Sequence, residues 1–287
     1  VIVVGQGEGS VRAALRGARA EISYVRQHEP EGTAAAAWLG SSLLDEQALA
    51  DGVLVVHGDL ATDRKNLAAL ADAFCSKRPL AAASVQTLGK EDPRDWIVAH
   101  LEEDALRGVE GHARGGRHRL CGIYAFGAEA LGALRDNPGV MRRVPVGGMP
   151  ALEAEIAGSL QALIDECEGG VLAVVAPGYH VDLDKPWHIL EANHRVMNAM
   201  SAALEGNAIP VSARVHDGAE IGGRLVLGEN AVIGNRTVIQ GDLWLGAGAR
   251  VENGAMITGP AVVGPGTVLR DYCQIGGQST LGPRGVY

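Results

Sequence analysis

Three short clusters in this chain hold the residue types that handle charged substrates. His57-Gly58-Asp59 ends the apolar run Val53–Val56, and Asp182-Leu183-Asp184-Lys185-Pro186-Trp187 precedes a helical stretch. A carboxylate at the end of a strand, beside a glycine, suits Mg2+ carried on a phosphate. Asp59 fits that role, and it fits equally a cap on the turn that follows. Asp182 and Asp184, spaced i, i+2 on an extended segment, point the same way. They suit metal ligation, although Asp184 is also placed to cap the helix that Pro186 begins. The third cluster runs from Gln27 to Gly32-Thr33. Gly32 permits close backbone approach, and free amides at a helix opening on Thr33 favour an anion or a carbonyl oxygen. A plain helix-capping turn has the same composition.

The elements that must position these clusters alternate. Strand-like runs at Val1–Val4, Ile22–Val25, Val53–Val56, Leu80–Val85, Gly122–Phe126 and Val171–Val175 alternate with helical stretches at 10–18, 33–44, 66–74 and 189–204. Such alternation predicts an α/β domain with a mostly parallel, Rossmann-like sheet, whose ligands bind beyond the carboxyl ends of the strands. Val53–Val56 contains no polar residue and is expected to be buried on both faces. The domain is expected to cover residues 1–206, with Gly206-Asn207 and Pro210 marking its end.

Residues 207–287 follow a different rule. An aliphatic residue recurs at every sixth position from Val215 through Ile221, Leu227, Ile233 and onward to Leu281, twelve times without a miss. Glycine often follows it, and a small residue usually stands two places before it. A period of six fits a chain that turns a corner every six residues. Three sides make an 18-residue coil, so 215–286 holds about four coils, and neighbouring coils bury a core that none buries alone. The inward columns are then Val215/Ile233/Val251/Leu269, Ile221/Ile239/Ile257/Ile275 and Leu227/Leu245/Val263/Leu281. The pattern resembles the hexapeptide-repeat, left-handed parallel β-helix family.

Composition narrows the function. A net charge of −9 over 287 residues argues against nucleic acid or an anionic membrane as partner, and no apolar run is long enough to span a bilayer. Cys75, Cys121, Cys167 and Cys273 have no paired spacing and read as reduced thiols of a cytoplasmic protein. The chain opens on an apolar run without Met and closes directly after its last coil, so it is expected to be a piece of a longer protein. Trimmed ends would look the same.

Taken together, Gln27 with Gly32-Thr33, the strand ending Gly58-Asp59, Gly122-Ile123-Tyr124-Ala125-Phe126, and Gly178-Tyr179-His180-Val181-Asp182 followed by Pro186-Trp187 and Glu191-Ala192-Asn193 resemble the sugar-1-phosphate nucleotidyltransferase family. The nearest likeness is to enzymes with a hexapeptide-repeat domain, the N-acetylglucosamine-1-phosphate uridylyltransferases and the glucose-1-phosphate uridylyl- or thymidylyltransferases. The resemblance implies transfer of a nucleotidyl group from UTP or dTTP to a sugar 1-phosphate, N-acetylglucosamine 1-phosphate by first choice, with release of pyrophosphate. It implies that Gln27, Gly32, Thr33 and Gly58 hold the nucleotide, and that Asp59 and Asp182 are the catalytic ligands of Mg2+. Glu110 and Gly122 then contact the sugar, and the repeat domain forms a homo-oligomer, most simply a trimer.

The departures from that family are specific. Its Gly-rich loop with Arg and Lys has no match: Gly5-Gln6-Gly7-Glu8-Gly9 carries Glu8 where a triphosphate needs a cation. Gly111-His112 stand where the family commonly has Lys, and Leu120 where it commonly has Asn. Arg114 or Arg117 is the expected replacement cation, and residues 1–287 alone are expected to turn over poorly. Two other functions compete. One is acetyl-CoA-dependent acyl transfer in the repeats, for which His216 is the sole histidine. The other is a non-catalytic regulatory or scaffolding subunit.

Overall fold

The computed structural model describes residues 1–111, 113–137, 139 and 153–287. His112, noted above, lies outside them. The chain divides into two compact units, 1–182 and 183–287.

The first unit runs β1 (Ile2–Val4), α1 (Glu8–Ala14), β2 (Tyr24–Arg26), α2 (Thr33–Ser41), α3 (Glu46–Leu49), β3 (Val53–Val56), β4 (Leu60–Thr62), α4 (Arg64–Lys77) and β5 (Ala81–Thr87). It continues through β6 (Ile97–Glu102), β7 (Ala105–Gly111), β8 (His118–Phe126), α5 (Gly132–Arg135), α6 (Ile156–Glu166), β9 (Val171–Val175) and β10 (His180–Asp182). Six strands form one sheet in the order β3-β8-β5-β9-β7-β6, and β6 also pairs with the first residues of β8. Strands β1 and β2 pair in parallel as a separate sheet, and β4 pairs antiparallel with β10.

The main sheet is mixed, which corrects the expected mostly parallel one. Within it only β5–β9 pair in parallel, and the other described pairings are antiparallel. The reason is connectivity. No helix separates β6, β7 and β8 among the described residues, and successive strands joined by short turns must reverse direction. Strands β3, β5 and β9, which helices do separate, share one direction. Strand β3 is also not buried on both faces: it is an edge strand, and Leu54 and Val56 remain 42% and 41% exposed.

Helix α4 shows how the local sequence builds this unit. Asp63 caps it by accepting from the Lys65 amide at 3.0 Å, and Arg78 ends it in the left-handed region at φ 51°. Asn66, Leu70 and Phe74, four residues apart, form its buried stripe. Leu70 and Phe74 pack with Ala82, Ile123, Ala125 and Leu172, each large side chain contributing about 1.5–3 kcal/mol on burial. The opposite face of the sheet packs Ala83, Val85, Tyr124 and Phe126 against α2, α5 and α6.

The second unit holds helix α7 (Pro186–Ala202) and twelve short described strands, from Arg214–Val215 to Ser279–Leu281, in three parallel four-stranded sheets. The chain visits the sheets in rotation. Register pairs Val215 with Ile233, Ile233 with Val251 and Val251 with Leu269, and the other two columns match the expected ones residue for residue. Ile239 and Ile257 are fully buried, while Val215, Ile221, Ile275 and Leu281 at the ends of the stack are only partly covered. A ladder of side chains runs up one corner at the 18-residue spacing: the Asn235 amide donates to Asn253 Oδ1, and the Asn253 amide to Asp271 Oδ1. The expected domain end near 206 follows α7, whereas the contacts group α7 with the repeats. Arg224 links them, pairing with Asp242 at 2.7 Å and donating to the carbonyls of Ser201 and Leu204.

Candidate active site

The apolar strand β3 delivers His57-Gly58-Asp59 to the carboxyl-end edge of the sheet. The chain then turns straight into β4, and β10 pairs with β4 so that Asp182 faces Leu60 and His180 faces Thr62. Asp59 therefore stands one residue from the position opposite Asp182. Their carboxylate oxygens lie within 4.8 Å of each other. Two Mg2+–oxygen bonds of about 2.1 Å span at most about 4.2 Å, so a small side-chain rotation puts both on one ion. Asp59 is exposed and Asp182 half-buried. Two hard oxygen donors fit Mg2+, which keeps waters or substrate phosphates in its remaining positions.

One residue that sequence reasoning missed holds this arrangement. Asn66, 1% exposed, donates through Nδ2 to Thr62 Oγ1 and to the Tyr179 carbonyl, both at 2.9 Å, and accepts from the Gly178 amide at 2.7 Å. It ties α4 and β4 to the approach of β10. Gly178 is required there, because a Cβ would sit 2.5 Å from the Asp63 side chain. Thr62 Oγ1 also lies 3.3 Å from His180 Nδ1. Burial, and then the charge of Arg119, lower the pKa of His180 to about 4, so it is neutral at physiological pH.

Gly122 marks a second close approach. Strand β8 bulges opposite Ser84, since Ala83 pairs with Tyr124 and Val85 with Leu120. Gly122 takes φ 65° in that bulge, and its carbonyl accepts from the His57 amide at 2.9 Å. A Cβ on Gly122 would stand 2.9 Å from the His57 ring. The ring packs edge-on against Tyr124, and its Nε2 is buried without a hydrogen-bond partner, as is Nε2 of His180.

Gln27, Gly32 and Thr33 come together away from this turn. Gln27 Nε2 donates to the Gly32 carbonyl at 3.4 Å. Thr33 Oγ1 donates to Glu155 at 2.6 Å and accepts from the Ile156 amide, and the Ala34 amide donates to the Ala154 carbonyl. The opening amides of α2 are thus engaged in part by the 154–156 segment. Gly32, at φ 103°, lies so close to Ala154 that a Cβ would meet its backbone at 2.5 Å. Glu110 lies on β7, half-exposed, with His100 Nε2 at 3.2 Å. Arg114 and Arg117 are both exposed. In the second unit, Asp184 stands outside helix α7, whose cap position is Lys185, so the capping role expected of it falls one residue later.

No protein-family model matches the chain, and no curated protein matches it in sequence. Solved structures do resemble it. An inositol-1-phosphate CTP transferase from T. maritima superposes with a TM-score of 0.52 at 14% identity, covering 66% of this chain and 71% of the other. A putative glucose-1-phosphate thymidylyltransferase from Bacillus anthracis gives 0.54 at 17%, covering 71% and 76%. A UDP-glucose pyrophosphorylase from Acinetobacter baumanii gives 0.51 at 15%, covering 70% and 68%. What the chain shares with these proteins is a fold, that of nucleotidyltransferases named for sugar or inositol phosphates.

Proposed function

We propose that the protein transfers a nucleotidyl group from a nucleoside triphosphate to a sugar 1-phosphate. The observation that carries this reading is the Asp59/Asp182 pair, one in the turn before β4 and one on β10, which pairs with β4, in a unit whose fold resembles that of such enzymes. A phosphate oxygen of the sugar 1-phosphate forms a bond to the α-phosphorus, the bond to the β-phosphate breaks, and pyrophosphate leaves with its electron pair. No side chain needs to act as nucleophile. Bound Mg2+ supplies charge neutralisation for the phosphates. Asp59 and Asp182 hold it, Asn66 fixes the strand that carries Asp182, and neutral His180 offers hydrogen bonds without adding charge. Alignment of the two phosphates does the rest of the work. Gln27, Gly32, Thr33 and Gly58 are read as nucleotide contacts, Glu110 and Gly122 as sugar contacts.

UTP with N-acetylglucosamine 1-phosphate is the first pair to test, then dTTP with glucose 1-phosphate and CTP with inositol 1-phosphate. Pyrophosphate release by the full-length protein, absent in Asp59→Asn, is the expected result. No release with any pair would favour the regulatory-subunit reading. Acyl transfer would rest on His216 alone, an exposed residue whose Nδ1 accepts from the Gly218 amide at 3.1 Å. We read the three stacked sheets as a left-handed β-helix through which copies associate, most simply as a trimer. Light scattering at micromolar concentration tests this, and a monomer would refute it.

A further inference from the structure

Strand β1 pairs with β2 on one side and β3 with β8 on one side, and no described strand lies against the other side of either. The hydrogen bonds show which groups these edges present. The Ile2 amide donates to the Ser23 carbonyl, and the Val4 carbonyl accepts from the Gln27 amide. Backbone groups alternate along a strand, so the N–H and C=O of Val3 point away from β2. The His57 amide donates to the Gly122 carbonyl, in register with Val55 and Val53 against β8, which leaves the N–H and C=O of Leu54 and Val56 on the free side. Both strands are wholly aliphatic. They carry none of the charges or prolines that blunt an exposed edge.

One helix covers both strands. Ala34 and Ala37 of α2 share a core with Val53 and Val55. Gly40, later in α2, packs on β1, where a Cβ would stand 3.0 Å from Val3 Cγ2. A helix is about 10 Å across, and paired strands lie about 4.8 Å apart. Strands β1 and β3 do not pair, so they lie more than one strand spacing apart, and a shared helix holds them to about two. Their directions agree as well. Thr33, opening α2, bonds to Glu155 and Ile156 where α6 begins, and α6 leads into β9, which runs parallel to β5. Both helices thus start at the carboxyl-end edge, and β2, which feeds α2, runs with β3, as does its parallel neighbour β1.

We propose that the interval between β1 and β3 accepts one further strand, which joins the two sheets into one, and that a segment of this polypeptide outside residues 1–287 supplies it. The occupant is extended, about four residues long to match β3, and aliphatic. It bonds to Val3 on one side and to Leu54 and Val56 on the other. One of its faces lies beneath Ala34, Ala37 and Gly40, whose small side chains leave room for branched ones. The other lies beside the Leu54 and Val56 side chains, which are exposed. A source within the same chain follows from position. The strand lies inside a sheet and under a helix of the same unit, where it must be present as the unit folds, whereas separate peptides add to outer edges. The proposal needs nothing from the transferase reading.

The test is hydrogen exchange, comparing residues 1–287 with the full-length protein. Peptides covering 53–57, which contain no chain end, are expected to exchange at least about tenfold slower in the full-length protein. Peptides covering 118–126, inside the sheet in both, are expected to match. Val3→Pro removes an N–H that faces the interval. It is expected to shift the melting temperature by less than about 2 °C in residues 1–287 and to lower it by about 4 °C or more in the full-length protein. Equal exchange at 53–57 in the two proteins, or an equal effect of Val3→Pro in both, overturns the proposal. So does protection at 53–57 that appears only when a lysine-flanked valine peptide is added to the full-length protein, because the interval would then belong to another polypeptide.

Discussion

Truncating Asn66 to alanine should unlock β10, and with it Asp182, while leaving both carboxylates in the chain. The side chain makes three hydrogen bonds, and their fates differ. The Tyr179 carbonyl keeps the Asp63 amide, and Thr62 Oγ1 keeps His180. The Gly178 amide loses Asn66 Oδ1, and an orphaned donor costs about 1–3 kcal/mol. The two other bonds add about 0.5–1.5 kcal/mol each, reduced because Gly178 and Tyr179 are only partly buried. The loss is then about 2–4 kcal/mol, local to residues 178–182. Hydrogen exchange reads this directly, since about 1.4 kcal/mol is a factor of ten. Peptides covering 178–182 should exchange about 30-fold to several hundred-fold faster, and peptides covering 250–270 should not change. Metal-dependent turnover should fall with the first set. Asn66→Asp sharpens the result: it keeps the acceptor for Gly178 but faces a carbonyl with a carboxylate. That buried acid has a raised pKa, so the variant should be least stable at neutral pH and recover as pH falls towards 4. Unchanged protection at 178–182 in Asn66→Ala would refute the claim that this network holds Asp182 beside Asp59.

Other expectations concern separate parts of the molecule. Asp59→Asn and Asp182→Asn should each abolish Mg2+-dependent pyrophosphate release with less than about 1 kcal/mol change in stability; turnover assays beside thermal melts decide. Ile257→Asp buries an unpaired charge at a fully covered position and should unfold the repeats by circular dichroism, while Met256→Lys, one residue away and only partly buried, should be tolerated. Gly122→Ala meets both a left-handed backbone and the His57 ring, so it should cost about 2–4 kcal/mol in denaturant titration. Burial pushes the Cys121 thiol up to about 12, so at pH 8 an aromatic disulfide reagent should label exposed Cys75 and Cys167 quickly and Cys121 only after unfolding.

The two halves of the chain were unequally legible. Every inward residue of the repeats could be assigned because a period of six is written directly into residue type and each coil contacts its neighbours at a constant 18 residues. The first unit hid its strand directions. Whether β8 runs with or against β5 depends on the lengths of connections, and apolar runs read the same in both orientations. The Asp59 turn stood out as a carboxylate beside glycine after an apolar run, and Asp182 as one of two acids spaced i, i+2 ahead of a helix. Asn66 did not: in the third helical position of α4 it looks like a solvated amide, and only the fold brings residues 178 and 179 onto it.

The constant 18-residue rise has a consequence for how this chain can change length. Removing or adding 18 residues anywhere within 215–286 returns every later side chain to the same wall and corner, so a gain or loss of one whole turn leaves the junctions chemically identical. A change of six residues keeps aliphatic groups inward but moves all downstream exteriors round by one wall, so Trp244 and Arg250 would exchange neighbours with a different sheet. A single-residue change does neither: it turns the inward column outward and breaks the corner ladder of Asn235, Asn253 and Asp271 at once. Length in this half of the molecule is therefore quantised, and tolerated insertions should fall at whole turns.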